Sequence, residues 1–223
     1  MNAKEESMTR LGPLILCATL GTVFLACGSG ATSPKEPLDL VPQDNDVSGW
    51  TADQTHSKTP GSRAMTASTQ EEAVALIDGG AVPFYRDPYT PRQFLWQNYV
   101  NSTLPAAPPP KGATVMLYIL QMPSADQASG LYTALLQESD YKRWTNTEQD
   151  WQDPTTPLLG TKSRIEDTTT SWWINFCQDV FYVEVQLFPS YGPPPDVEPG
   201  NADLKSEAMR FAQEVARRSG QSR

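Results

Sequence analysis

Few residues of this 223-residue chain are arranged in a pattern that supports catalysis. Cys177 could act as a nucleophile, but it follows Trp173, Ile174 and Phe176 in an apolar, strand-like segment. A reactive thiolate needs an electropositive and accessible setting. We therefore predict that Cys177 is a buried packing residue.

Two short motifs match fragments of functional loops. Residues 44–49, Asp-Asn-Asp-Val-Ser-Gly, match the opening of a calcium loop, in which alternate oxygens surround the cation. The twelfth position is Thr55 in place of the bidentate Glu, so a polar turn is the favoured interpretation. Ser139 and Lys142 fit the S-x-x-K pattern of penicillin-recognising enzymes, but no S-D-N or K-T-G sequence follows. We interpret that match as a coincidence.

The remaining polar candidates predict neither a metal nor a cofactor. His56 is the one histidine and lies in a polar stretch, whereas a metal site normally needs three or four ligands. Asp78 precedes two glycines, where it is either a ligand-binding carboxylate or, as we favour, a structural acceptor of loop amide protons. Helix C-termini repel negative charge, which weakens the binding role.

Aromatic residues give the best indication of a binding surface. Trp144 and Trp151 lie in a polar loop rich in Thr and Gln, and Tyr85 follows the glycines near Asp78. Aromatic faces beside amides can stack on sugars or grip peptides. We name Trp144, Trp151, Asp78 and Tyr85 as candidate ligand-binding residues. The alternative, which we favour for most of the rings, is that they fill a core poor in Leu and Ile.

The charge of the chain excludes one class of partner. The sequence has 17 Lys and Arg against 26 Asp and Glu, a formal net charge of −9. Phosphate neutralisation needs clustered Lys and Arg, which are not found here. We therefore expect no nucleic-acid partner.

Three segments have helical signals. An S-x-x-E capping box from Ser68 to Glu71 begins a helix that Gly79 or Gly80 ends in a left-handed conformation. Ser124 begins a second helix, and apolar residues at helical spacing predict a third over 201–219.

Strand signals lie between the helices. They predict strands at 94–100, 114–121, 171–176 and 181–187, with a weaker one at 158–166. The alternation over 181–187 predicts one buried and one wet face, which leaves Trp, Tyr and Gln side chains exposed for binding. The order of elements predicts an α+β domain, an antiparallel sheet with packed helices. It is similar at the level of fold to the PsbP and Mog1 class of α/β/α sandwiches, an analogy that implies no function.

The N-terminus has the features of an export signal. Lys4 and Arg10 precede the apolar run 11–26, which is too short and too interrupted for a spanning helix. The run ends in Val-Phe-Leu-Ala before Cys27, which resembles the lipobox of bacterial lipoproteins. The resemblance implies a diacylglycerol on the Cys27 thiol and a third acyl chain on its amine. Gly28 after the cysteine implies sorting to the outer membrane, with the protein facing the periplasm.

These signals predict the domain organisation. We expect a signal peptide over 1–26, a lipidated flexible tether over 27–46, rich in Gly, Ser, Pro and acids, and a single α+β domain over 47–220. Cys17 leaves with the signal and Cys27 is lipidated, so no intramolecular disulfide is expected for Cys177.

Two blocks resemble an uncharacterised family of secreted bacterial proteins. Residues 75–81, Ala-Leu-Ile-Asp-Gly-Gly-Ala, are similar to its I-D-G-G-A block, and 125–132 to its D-A-x-G-L-Y helix. The aromatic hairpin over 172–185 is similar to the closing hairpin of that family. The resemblance covers about 47–219 and implies no assigned activity.

Two functions follow as expectations. The leading one is a lipid-anchored, non-catalytic binding or scaffold module of the cell envelope, with an envelope protein or a glycan as partner. The alternative is an enzyme acting on envelope glycans through paired carboxylates, and the sequence does not pick that pair. An inert structural lipoprotein is a third interpretation.

Overall fold

A computed structural model describes most of the chain from Lys35 onward, namely residues 35–53, 64–77, 79–101, 112–135, 151–152, 159–167, 171–189 and 201–220. The helices are α1 (Gln70–Ile77), α2 (Ala125–Leu135) and α3 (Asn201–Gly220), with 3-10 helices at Pro37–Leu40 and Val82–Phe84. The strands are β1 (Thr51–Ala52), β2 (Met65–Ala67), β3 (Gln93–Asn101), β4 (Ala113–Gln121), β5 (Trp151–Gln152), β6 (Lys162–Asp167), β7 (Trp172–Gln178) and β8 (Phe181–Pro189).

The strands form one antiparallel sheet. Its order is β1-β3-β4-β8-β7-β6-β5, and β2 also pairs with β3. Helices lie on both faces, because α3 packs with one apolar cluster of the sheet and α2 with the other. The predicted α+β fold, an antiparallel sheet with packed helices, is therefore confirmed.

The helices begin where local hydrogen bonds satisfy their first amides. In α1 the cap is one residue later than predicted, because Thr69 Oγ1 accepts from the Glu72 amide at 3.2 Å. The Glu72 carboxylate in turn accepts from the Ser68 amide at 2.7 Å. Ser124 Oγ accepts from the Gln127 amide at 3.3 Å, which confirms the predicted cap of α2.

One face of the sheet is covered by α3. Its apolar stripe is buried as the helical spacing predicts, and Phe211 is at its centre. The Phe211 ring lies 4.6 Å from the Tyr99 ring and 5.9 Å from the Trp50 ring, both edge-on. This face forms the larger apolar core.

The other face of the sheet is also buried, which makes the prediction of a wet face on β8 wrong. Tyr182, Glu184 and Gln186 are all buried, as are the alternating apolar residues of the same strand. Trp172 and Trp173 point to opposite faces of the sheet, and both are buried. Helices α1 and α2 are packed on this face together with Phe84. The sheet is thus the middle layer of three.

The predicted flexible tether is wrong over 35–46. Leu40 and Val41 are buried in the core under α3, and the Tyr99 hydroxyl donates to the Pro42 carbonyl at 2.9 Å. Lys35 is hydrogen-bonded to the end of α3. The ordered domain therefore includes residue 35 and does not begin at residue 47.

The calcium-like loop is a polar turn. Asp44 Oδ1 accepts from the Ala52 amide at 2.9 Å, and the Asp46 carboxylate pairs with Arg218 of α3. Asn45 and Gly49 have positive φ angles of 64° and 86°. The two carboxylates therefore hold the turn against the domain.

Within the described residues, no helix combines the length and apolar character that crossing a membrane requires.

Candidate functional site

The most polar part of the interior lies beneath α2. We call it the polar cluster and define it by five residues: Arg164 of β6, Asn175 of β7, and Tyr182, Glu184 and Gln186 of β8. Each of them is buried, with Arg164 only 2% and Glu184 only 1% exposed. Charged side chains are almost never buried to this degree unless they are paired, so this cluster is the part of the fold that most needs explanation.

Glu184 is the hub of the polar cluster. One carboxylate oxygen accepts from Asn175 Nδ2 at 2.8 Å and from the Tyr182 hydroxyl at 3.0 Å. The other oxygen accepts from Gln186 Nε2. Three donors thus converge on one carboxylate, which offsets the cost of removing its charge from water.

Arg164 balances the charge of Glu184 through a bridging amide. Its Nε donates to Asn175 Oδ1 at 3.3 Å, while the amide nitrogen of Asn175 donates to Glu184. Arg164 Nη1 also donates to the Tyr132 carbonyl at 2.7 Å, and its guanidinium carbon lies 4.1 Å from the centre of the Tyr132 ring. Because Tyr132 belongs to α2, the cation attaches that helix to the sheet.

Register explains why these residues meet. Arg164 is directly opposite Asn175, and Asn175 is directly opposite Glu184, so the three form one row across β6, β7 and β8. Directly opposite residues of antiparallel strands lie about 5 Å apart, within reach of side-chain hydrogen bonds. The row continues to Tyr118 of β4 and Trp96 of β3.

The tyrosine hydroxyls and the thiol around the polar cluster have raised pKa values. Burial and the nearby Glu184 carboxylate raise the pKa of Tyr182 and of Tyr118. Burial raises the pKa of the Cys177 thiol to about 12, against the opposing charges of Arg164 and Lys162. The thiol donates to the Ala128 carbonyl at 3.3 Å. Cys177 is therefore buried packing, as predicted, and the cluster stabilises the fold without offering an accessible nucleophile.

Tyr85 is the one candidate ligand-binding residue whose side chain the structure describes. It is half-buried, and burial together with Glu72 and Glu71 raises the pKa of its hydroxyl to about 12. Its hydroxyl oxygen is buried without a hydrogen-bond partner among the described residues. Tyr85 packs at the margin of the apolar cluster beneath α1 and α2, a cluster that also includes Tyr182.

The other candidates are not tested. Asp78, Trp144, His56, Ser139 and Lys142 lie outside the described residues, as does Cys27. The backbone of Trp151 pairs with Glu166 at the sheet edge, and the side chain of Trp151 is not described. Their roles stay predictions.

Sequence reasoning missed Arg164 and Glu184. The alternation around Glu184 predicts a solvated face, because the helix that covers this residue is distant in sequence, and the weak strand signal around Arg164 assigns no face to it. One signal was available, since a charged residue occurs in both the weak strand and the closing hairpin. Opposite charges on two strands of one sheet are candidates for a buried pair.

Among the described residues, no group of three or more His, Cys, Asp or Glu is placed to hold a metal ion.

Comparison of the chain with protein families, with curated proteins and with solved structures found no match. The resemblance to lipoproteins and to the family of secreted bacterial proteins therefore stays a prediction.

Proposed function

We propose that this protein is a lipid-anchored component of the bacterial cell envelope, attached through acyl chains on Cys27, and that its folded domain is a non-catalytic binding or scaffold module. The observation that carries the anchor is the apolar run ending in a small residue before Cys27. Two or three acyl chains would hold it stably, because each buried methylene contributes about 0.8 kcal/mol. Gly28 favours the outer membrane, facing the periplasm.

The interior chemistry supports the non-catalytic role of the domain. Burial raises the pKa of the Cys177 thiol, the candidate nucleophile in the sequence, to about 12. Glu184 accepts hydrogen bonds on both of its carboxylate oxygens. Arg164 is committed to Asn175 and α2. The ionisable groups of the polar cluster therefore have structural roles.

The anchor is tested by a pair of cysteine variants. Cys27→Ser should abolish incorporation of labelled palmitate and move the protein from the detergent phase to the aqueous phase. Cys17→Ser is the matched control, because that cysteine lies in the same apolar run and should leave both properties unchanged. Undiminished palmitate incorporation in Cys27→Ser would refute the proposal.

The non-catalytic role is tested with purified envelope glycan. The protein should release no soluble fragments from peptidoglycan sacculi over hours. Fragment release that disappears when a single carboxylate is changed to its amide would instead establish the glycan-cleaving alternative. Binding of a specific envelope protein or of the sacculi without cleavage would support the module.

A further inference from the structure

Lys35, the first residue that the structure describes, is fixed at one end of the sheet. Lys35 Nζ donates to the Arg218 carbonyl at 2.5 Å and to the Ser219 carbonyl at 2.8 Å, at the C-terminus of α3. The Lys35 carbonyl accepts from Gln121 Nε2 at 3.0 Å, at the C-terminus of β4. These three bonds tie residue 35 to two elements at once.

Other residues identify the same end of the domain. Gln178, the last residue of β7, lies against Gly220, where an added Cβ would be 2.8 Å from its Nε2. We call this the anchor end and define it by Lys35, Gln121, Gln178, Arg218 and Gly220. The N-terminal half of α3 lies toward the opposite end of the sheet, because Lys205 Nζ is 5.2 Å from the ring of Trp172, the first residue of β7.

The distance from the predicted lipid to this end is short. Eight residue steps separate Cys27 from Lys35, and an extended chain spans about 3.5 Å per residue, so the lipidated residue lies within about 28 Å of Lys35. Helix α3, with 20 residues, is itself about 30 Å long. A tether reaching to residue 46 would have spanned more than twice as far.

The charge of the anchor end suits a lipid surface. Lys35, Arg217 and Arg218 lie there, balanced by the Asp46 and Glu214 carboxylates that pair with the two arginines. The salt bridges leave these five groups without an excess of negative charge, although the whole chain carries −9, so they add no repulsion from anionic headgroups.

An exposed apolar residue lies close by in the chain. Leu38, three residues after Lys35 in the first 3-10 helix, is 49% exposed. An apolar side chain beside a short lipid tether can enter the headgroup region at little cost.

We infer that the anchor end faces the phospholipid headgroups, so that the opposite end of the sheet, with the start of α3, is presented away from the membrane. This inference rests on the proposed acylation of Cys27. The occupant is the bilayer surface to which the acyl chains are attached. Any envelope partner would then meet the distal end of the domain.

The test compares two labels on one helix. Arg217→Cys and Ser206→Cys place exposed thiols on α3 about 17 Å apart along its axis. The native cysteines do not interfere, because Cys17 is removed with the predicted signal peptide, Cys27 is acylated and Cys177 is buried. The full-length acylated protein, labelled with a fluorophore, is reconstituted in vesicles of phosphatidylethanolamine and phosphatidylglycerol that contain headgroup spin-labelled lipid.

Quenching of the label at position 217 should be at least twofold stronger than at position 206. Equal quenching, or stronger quenching at 206, on protein that floats with the vesicles would overturn the orientation and leave the anchor intact. Wild-type protein that carries no acyl chain and fails to float would refute the proposed anchor and the orientation with it.

A lengthened tether tests the cause of the orientation. Insertion of 20 Gly and Ser residues after Ser33 should reduce the difference between the two labels by at least half while flotation persists. An undiminished difference would show that the argument from tether length is wrong.

Discussion

Glu184→Gln should destabilise the domain strongly, although it conserves the shape of the side chain. Glu184 is 1% exposed and accepts from Asn175, Tyr182 and Gln186. The substitution replaces one accepting oxygen by a donor that faces other donors, and it removes the carboxylate charge that faces the Arg164 cation across Asn175. Breaking a buried pair from one side costs about 3–5 kcal/mol, against a total stability of about 5–15 kcal/mol.

The assay is urea unfolding at pH 7, followed by tryptophan fluorescence, in the unacylated Cys27→Ser background. We expect a loss of about 4 kcal/mol for Glu184→Gln and about 3 kcal/mol for Arg164→Met. Exposed Glu71→Gln is the matched control and should change stability by less than about 0.5 kcal/mol.

The double variant separates the pair from its surroundings. Arg164→Met with Glu184→Gln should cost about 2 kcal/mol less than the sum of the single losses, because it leaves no lone buried charge. A Glu184→Gln loss below 1 kcal/mol, or strictly additive losses, would refute the view that the two charges balance each other through Asn175.

The Cys177 thiol should not react with a disulfide reagent at pH 8 until urea unfolds the protein. The pKa of this thiol is about 12 in the folded protein, against an ordinary value of 9, so its contribution to stability is complete below pH 9 and is lost as the pH rises to 12. Cys177→Ala should therefore lose less stability than the wild type between pH 9 and pH 12. An equal loss in the two proteins would contradict this assignment. Gly130→Ala should cost about 2 kcal/mol, because the added Cβ would lie 2.3 Å from Tyr89 Cε1, whereas Ser129→Ala should be within about 0.5 kcal/mol. Equal melting temperatures for the two α2 variants would exclude that clash.

The sequence predicts the elements whose signal is local and long. The stripe of α3, the cap of α2 and the hairpin of β7 and β8 each depend on a repeat or a motif within about 20 residues. The two-residue strands β1 and β5 have no such repeat, because they exist only through pairing with distant partners. Tertiary contact decides those segments.

Composition misled the prediction for 35–46. Its Pro and acidic residues are typical of a linker, but averaging over the segment hides Leu40 and Val41, which complete the core under α3. Two apolar residues at the right place outweigh a polar average, because burial acts on single side chains.

The polar cluster was beyond local prediction for a related reason. Alternating apolar and polar residues are typical of a sheet with one solvated face. They fit equally well a sheet that is covered on both faces, if its polar residues hydrogen-bond to one another. The choice depends on α2, about 50 residues before β8 in the chain. The row from Arg164 through Asn175 to Glu184 forms only when the three strands are in register beneath that helix.

The placement of short strands at the margins of the sheet affects how the protein behaves at high concentration. The outermost pairings are made by two-residue β1 and β5 and by three-residue β2, while nine-residue β4 is paired along its whole length with β3 on one side and β8 on the other. A long unpaired edge recruits strands from other molecules, and edges this short provide few backbone groups for it. Among the described strands, this arrangement disfavours edge-to-edge aggregation of the protein at high concentration.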